Sequence, residues 1–191
     1  IFAVLVDRRL LGLLAFAASG AMMVPSVTNR ILYLFTDDFA TASAIGGRAL
    51  RWEFGIATMK TNPLLGFGLG RFGGAVAMQN QILEVTDDFS YFYMDNYYLK
   101  IGTEMGYTGL IAFVILVLAL VIFGLQSVMR LKRERPGYFP AAVGIYSGLC
   151  GVLVHCYFEN IFEVPYMMGL FWSFAAALFV LVGRSRRNTD E

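Results

Sequence analysis

The sequence predicts an all-α integral membrane protein, and three features of the chain support this class. Of the 191 residues, 58% are hydrophobic and only 15% are charged, whereas soluble domains carry about 25% charged residues. Four stretches approach the ~20 mostly apolar residues that a helix needs to cross a bilayer. The basic residues cluster beside these stretches. The chain is therefore predicted to form a multi-helix transmembrane bundle.

The predicted spans divide the chain into membrane segments and one long loop. The second span is the clearest, because residues 110–125 contain no charged side chain. The first is the least regular, because Gly20 and Pro25 interrupt it, although neighbouring helices can satisfy the freed backbone groups. The predicted spans are about 10–27, 108–129, 139–158 and 164–182, and the loop is 28–107. Since the chain begins inside an apolar run, we expect residues 1–191 to be the C-terminal part of one membrane domain.

The positions of Lys and Arg predict which side the loop faces. Nine of the 15 basic residues lie in three short segments, 1–9, 130–138 and 183–191. Such an excess is typical of cytoplasmic segments, so the loop is predicted to be extracytoplasmic. The formal charge of +1 offers no basic face for a nucleic-acid partner.

The long loop is predicted to be helical, because it is rich in Phe, Tyr, Leu and Met and poor in the residues that mark disorder. A helix is expected over residues 44–60, ended by Asn62-Pro63, since proline cannot continue a helix. Another helix is expected to begin near Tyr97. Either Asp95 or Asn96 suits its N-cap.

Three loop arginines are candidates for binding phosphate. Arg48 and Arg51 are one helical turn apart, and Arg71 follows the glycine-rich residues 66–70. Arginine presents a planar fork that suits phosphate oxygens and keeps its charge. The alternative is that these side chains extend to lipid headgroups. The glycines favour a tight turn over a close backbone approach to a ligand.

Asp95 and His155 are the candidates for proton transfer. Asp95 follows the aromatic residues 91–93, and a carboxylate among rings near a bilayer suits a general base. His155 is the single histidine and suits acid–base work near neutral pH, with a packing role as the alternative. It is expected on one helix face with Glu159 and Glu163. Metal binding by these three is disfavoured, because no Cys or second His supports it.

In their order and spacing, the loop motifs resemble the O-antigen ligase and polymerase family of bacterial envelope glycosyltransferases. The resemblance covers about residues 25–125 and includes the long apolar helix after the loop. The motif residues are Gly47-Arg48 with Trp52, then Asn62-Pro63-Leu64-Leu65-Gly66-Phe67-Gly68, then Asp95-Asn96 with Tyr98-Leu99, Glu104 and Gly106.

The resemblance implies a GT-C-like enzyme of the bacterial cytoplasmic membrane that moves a glycan from undecaprenyl diphosphate to an acceptor sugar, without a metal or another cofactor. It implies Arg48 as the leading diphosphate ligand, supported by Arg51 and Arg71, with Asn96 beside them. The residue before this Asn is often His in ligases, so Asp95 favours a polymerase of surface polysaccharide repeats. Whether Asp95 is the base, orients the acceptor or shares the work with His155 stays open.

Two other function classes compete with a polymerase or an O-antigen ligase. A flippase or transport subunit is expected to have polar or broken helices near the midplane, whereas the second span is uniformly apolar. A non-enzymatic assembly subunit has no need of clustered outer arginines. The expected partners are the lipid-linked glycan donor, a glycan or lipid-linked acceptor, membrane lipid and other proteins of a polysaccharide assembly system.

Overall fold

A computed structural model of the chain describes residues 1–44, 48–79 and 94–187. Every regular element in these ranges is helical, which confirms the all-α class. The α-helices are α1 (Phe2–Leu5), α2 (Arg9–Met22), α3 (Pro25–Tyr33), α4 (Asp37–Ala44), α5 (Arg48–Thr61), α6 (Gly74–Gln79), α7 (Tyr97–Glu134), α8 (Phe139–His155) and α9 (Pro165–Arg187). The chain divides into two compact units, Ile1–Leu50 and Arg51–Glu191.

The first unit contains a bent helix pair where the sequence predicted a span over residues 10–27. The axes of α2 and α3 meet at 87°, because Val24 is extended and Pro25 opens α3. Proline cannot continue α2 but fits the first turn of the next helix. By length and composition the pair is a broken span or a re-entrant segment.

The second unit contains the two described helices that are each long and apolar enough to cross a bilayer, α7 and the segment Pro136–His155. They overlap the second and third predicted spans, 108–129 and 139–158. At the fourth, α9 contributes a shorter apolar stretch, Pro165–Leu181. The chain is thus a membrane protein whose described residues contain two candidate spans, or three if the bent pair is one span. The GT-C-like arrangement and the side that the loop faces stay predictions.

Helices α7, α8 and α9 pack against one another, and a glycine lies where α7 meets α8. A Cβ built on Gly124 of α7 would stand 3.0 Å from the ring of Tyr146 of α8. The Tyr146 hydroxyl donates a hydrogen bond to the Val121 carbonyl over 3.1 Å. Small residues let membrane helices approach closely, so Gly124 sets the spacing of α7 and α8.

Helix α7 is interrupted at Gly106, whose φ of 67° and ψ of −171° are not helical. The interruption leaves carbonyls of the preceding turn without helical partners, as at any helix end. The Phe67 N–H donates to the Thr103 carbonyl over 3.0 Å, and the Gly68 N–H donates to the Glu104 carbonyl over 2.8 Å. The glycine-rich turn therefore caps the interrupted helix.

The residues just before the glycine-rich turn form a hydrogen bond to the part of α7 that follows Gly106. Helix α5 ends at Thr61, beside the predicted stop at Asn62-Pro63. The Tyr107 N–H donates to the Pro63 carbonyl over 2.7 Å. Gly47 of the first motif and the aromatic residues 91–93 before Asp95 lie outside the described residues.

Candidate functional site

Asp95 is the buried carboxylate at the centre of the candidate site. It lies in the non-helical segment before α7, and 6% of its side chain is exposed. The indole Nε1–H of Trp52 donates a hydrogen bond to Asp95 Oδ1 over 2.9 Å. A guanidinium nitrogen of Arg51 lies 3.7 Å from Asp95 Oδ2. A buried charge needs such partners, so Trp52 and Arg51 fix the position of the carboxylate.

A close contact at Gly55 sets the distance between α5 and the Asp95 segment. A Cβ built on Gly55 would stand 2.7 Å from the methyl group of Met94. Met94 is fully buried, so it fills the space that the glycine leaves. Arg51 lies one helical turn before Gly55, which places its side chain within reach of Asp95.

Asn96 is the N-cap of α7. Its Oδ1 accepts a hydrogen bond from the Leu99 N–H over 3.1 Å, and the residue is 2% exposed. A cap of this kind stabilises a helix by about 1 kcal/mol. The sequence allowed Asp95 or Asn96 as the cap. The structure assigns the cap to Asn96, and the substrate contact predicted for Asn96 stays a prediction.

Arg48 and Arg51 lie on the same helix in different surroundings. Arg48 is the first residue of α5, belongs to the first unit and is exposed. Arg51 lies one turn later, and 30% of its side chain is exposed. A guanidinium has five N–H donors. Arg51 therefore keeps donors for an anionic ligand while it pairs with Asp95.

Arg71 lies in the glycine-rich turn and is exposed. A Cβ built on Gly68 would stand 3.4 Å from Arg71 Cδ, so the side chain runs along this glycine. Positive φ angles, which L-residues rarely adopt, occur at Gly66, Gly68, Gly70, Gly73 and Gly74. The favoured interpretation of a tight turn is confirmed.

A second charged cluster, which the sequence analysis did not identify, joins α7 to two turns. Lys100 Nζ lies 3.4 Å from Glu163 Oε1 and 3.8 Å from Glu104 Oε1. It also donates to the Gly73 carbonyl over 3.3 Å. The Phe72 N–H donates to Glu104 Oε1 over 3.2 Å. The i, i+4 spacing of Lys100 and Glu104 was the available sequence signal.

The prediction that His155, Glu159 and Glu163 share one helix face is wrong. Helix α8 ends at His155, because the backbone there tightens into hydrogen bonds between residues three apart. Glu163 lies in the 3-10 turn Ile161–Glu163 and pairs with Lys100, whereas His155 is exposed. Within the described part of the chain, no three His, Cys, Asp or Glu side chains are arranged to hold a metal ion.

The end of α8, where His155 lies, is beside the start of α7. The Tyr97 N–H donates to the Cys156 carbonyl over 2.9 Å, and the ring centroids of Trp52 and Tyr157 are 5.1 Å apart. Cys156 is fully buried, so this cysteine packs in the interior as a small apolar residue. The structure therefore groups the end of α8 with the helix that carries Arg51.

The fold and the site together define a helical membrane protein in which a buried carboxylate pairs with an arginine beside an interrupted span. A family model described as O-antigen ligase (Wzy_C) matches residues 1–114. The match covers more than half of the chain, and the chain belongs to this family. No curated protein and no solved structure matches the chain.

The family model matches only part of the candidate site. It includes the three candidate arginines and Asp95, and it ends within α7. His155 and Glu163 lie beyond its last residue. Membership supports an enzymatic role in polysaccharide synthesis, in agreement with the resemblance that the loop motifs predicted.

Proposed function

We propose that the protein polymerises lipid-linked oligosaccharide repeat units of a surface polysaccharide at the outer face of the cytoplasmic membrane. The observation that carries the proposal is the Arg51–Asp95 pair, joined over 3.7 Å. Sugar transfer from a lipid diphosphate needs a cation for the departing diphosphate and a group that takes the acceptor proton. This pair supplies both.

In the proposed reaction, an acceptor hydroxyl oxygen forms a bond to the anomeric carbon of the donor sugar. The bond between that carbon and the diphosphate oxygen breaks, and the diphosphate keeps the electron pair. Asp95 accepts the hydroxyl proton, while Arg51 donates hydrogen bonds to the departing oxygens. Because the acceptor attacks from the opposite face, the anomeric configuration inverts, and linkage analysis that shows retention contradicts this mechanism.

The other candidate residues have supporting roles in this proposal. Arg48 and Arg71 are exposed and add charge that does not depend on pH, so we assign them to the diphosphate. Asn96 keeps the start of α7 in place beside the substrate. His155 is a second proton acceptor at the end of α8. The resemblance implies a reaction without a metal ion or a nucleotide sugar, and in this proposal the arginines supply the positive charge that stabilises the leaving group.

The family resemblance implies the donor, and the basic residues favour one side of the membrane for the site. Undecaprenyl diphosphate is the carrier that the family resemblance implies, and an arginine fork suits its phosphates. The excess of basic residues in the three short segments favours a cytoplasmic position for them. The site, which lies in the long loop and at the start of α7, then faces outward.

Asp95 is also the reason for proposing a polymerase. The resemblance places it where many ligases have His, whereas other residues are common there among polymerases. An O-antigen ligase that transfers glycan to lipid A core or another acceptor is the second candidate, favoured by the family description. A transport or flippase subunit is the third. It has no need of a carboxylate held against an arginine.

The test is the glycan chain length in cells that carry the protein with Asp95→Asn at the normal membrane level. Asparagine keeps the shape of the side chain and an oxygen for the Trp52 N–H, but it lacks the negative charge. A polymerase predicts that single lipid-linked repeats accumulate and long chains disappear. The matched control is Glu53→Gln, an exposed carboxylate on α5, which leaves the chain length unchanged.

Two outcomes contradict the proposal in different ways. If long chains form but stay on the lipid carrier, the protein is a ligase. If Asp95→Asn and Glu53→Gln both give normal glycan, Asp95 serves only to hold α5 against the start of α7, and the proposed chemistry is wrong.

A further inference from the structure

Three aromatic side chains beside Asp95 form a connected group that the proposed reaction does not yet use. The ring centroids of Trp52 and Tyr157 are 5.1 Å apart, and the ring planes meet at 78°. Tyr157 and Phe158 are also 5.1 Å apart, with their planes at 83°. We call Trp52, Tyr157 and Phe158 the aromatic corner, because each neighbouring pair of rings is nearly perpendicular.

The aromatic corner is held firmly and is accessible. Tyr157 and Phe158 lie on the turn after α8, where the Phe158 N–H donates to the His155 carbonyl over 2.8 Å. Cys156 beside them is fully buried and anchors the turn. Tyr157 is nevertheless 48% exposed and Phe158 is 46% exposed. Rings that served only to fill the interior would not leave this much of their surface open.

Trp52 places the aromatic corner next to Asp95, the proposed proton acceptor. Its Nε1–H lies in the plane of the indole ring and donates to Asp95 Oδ1 over 2.9 Å. The carboxylate therefore lies at the edge of the indole ring, and the hydrogen bond itself occupies neither ring face. A flat ligand stacked on the indole has its outer groups within reach of Asp95. Each carboxylate oxygen can accept more than one hydrogen bond.

A sugar ring has the chemistry that this arrangement fits. The C–H groups on the apolar face of a pyranose are attracted to the negative face of an aromatic ring, and the ring edges are positive. The hydroxyl groups around the sugar need acceptors such as a carboxylate. Binding sites of this type combine aromatic walls with a few placed polar groups. An aromatic belt at the membrane interface explains exposed rings but not an indole N–H bound to a buried carboxylate.

We propose that the aromatic corner is the acceptor-sugar subsite of this protein, in which the terminal sugar of the acceptor stacks on Trp52, lies against Tyr157 and presents its hydroxyl to Asp95. The proposal rests on the proposed glycosyl transfer. It adds residues 157 and 158, which lie outside the part of the chain matched by the family model. Tyr157 and Phe158 then contribute to the choice of acceptor and not to the binding of the lipid diphosphate.

Tryptophan fluorescence tests the subsite directly. The chain contains two tryptophans, so a Trp172→Phe background leaves Trp52 as its single reporter. The probe is the free repeat-unit oligosaccharide released by mild acid from the lipid-linked pool of the same cells. We expect it to change the Trp52 emission in a saturable way. Removal of an aromatic partner by Tyr157→Leu weakens binding about two- to tenfold.

Matched variants separate stacking from loss of structure. Tyr138→Leu removes a tyrosine that is 52% exposed on another turn. We expect this variant to bind the oligosaccharide with the affinity of the parent. Tyr157→Phe restores the response that Tyr157→Leu loses, because it keeps the ring. Phe158→Leu gives a second measurement if Tyr157→Leu does not reach the membrane. An absent response in the parent, or equal affinity in the parent and both leucine variants, overturns the proposal.

The binding assay does not depend on glycosyl transfer. The subsite and the polymerase function can therefore be contradicted independently of each other. Glycan binding that depends on Tyr157, without any elongation of lipid-linked repeats, supports the subsite and contradicts the polymerase. Elongation with a Michaelis constant for the acceptor that is unchanged in Tyr157→Leu and Phe158→Leu supports the polymerase and contradicts the subsite. We expect the Michaelis constant for the acceptor to rise in both variants and the Michaelis constant for the lipid donor to stay unchanged.

Discussion

Gly66 and Gly106 lie in direct backbone contact: a Cβ built on Gly66 would stand 2.6 Å from the backbone nitrogen of Gly106. A Cβ built on Gly106 would clash with the backbone of Leu64. Both glycines have positive φ angles, 68° and 67°. The glycine-rich turn can therefore cap the interrupted helix only if neither position carries a side chain.

We predict that Gly66→Ala and Gly106→Ala each destabilise the protein by at least about 2 kcal/mol, since each combines a left-handed backbone with a backbone clash. The measurement is the thermal unfolding midpoint of the protein in detergent. Gly151→Ala is the control, because this helical glycine has nothing within 4 Å of its Cβ position. A midpoint for Gly66→Ala equal to that of Gly151→Ala contradicts the capping role.

Lys100 is predicted to be essential for stability rather than for chemistry. Its side chain is 8% exposed and lies between the carboxylates of Glu104 and Glu163. Removal of one partner from a buried ion pair costs about 3–5 kcal/mol, because the remaining charge is left uncompensated. Lys100→Met should therefore strongly lower the unfolding midpoint and the yield of folded protein.

The double variant Lys100→Met, Glu163→Gln tests the reason for that loss. It removes one of the two carboxylates that lose the charge of Lys100, so we expect it to be more stable than Lys100→Met alone. Lys60→Met, at an exposed position near the end of α5, is the control and should be neutral. If the double variant is no more stable than the single one, the buried charge does not explain the effect.

Arg51→Lys separates the shape of the guanidinium from its charge. Lysine keeps the positive charge but lacks the planar fork that can bind Asp95 and a diphosphate together. We expect the turnover number to fall about 100-fold, the order found when one donor to a developing negative charge is removed. The control is Arg30→Lys on α3, an exposed arginine. Full activity in Arg51→Lys would show that only the charge matters.

The sequence predicted the elements that depend on local signals. The two long spans follow from uninterrupted apolar runs, and the end of α5 follows from Asn62-Pro63. The start of α7 follows from a favoured cap, although the sequence did not decide between Asp95 and Asn96. These are properties of a few neighbouring residues, so no tertiary information was needed.

The contacts that build the site depend on residues far apart in the chain, and the sequence did not predict them. Arg51 and Asp95 were both candidates, but nothing in their spacing showed that they pair. Glu163 was assigned to one helix face with His155, because the apolar run gave no sign that α8 ends at His155. Trp52 belonged to a motif, yet its bond to Asp95 became visible only once α5 was placed against the start of α7.

The most direct test of the proposed chemistry uses purified protein in liposomes that contain only repeat units linked to a lipid diphosphate. The quantity measured is the length of the glycan product over time, compared between the parent and Asp95→Asn. If the Arg51–Asp95 pair performs the transfer, the parent elongates the lipid-linked glycan with no metal ion or nucleotide sugar, and Asp95→Asn does not. Equal elongation by the two proteins, or none by the parent, contradicts the account.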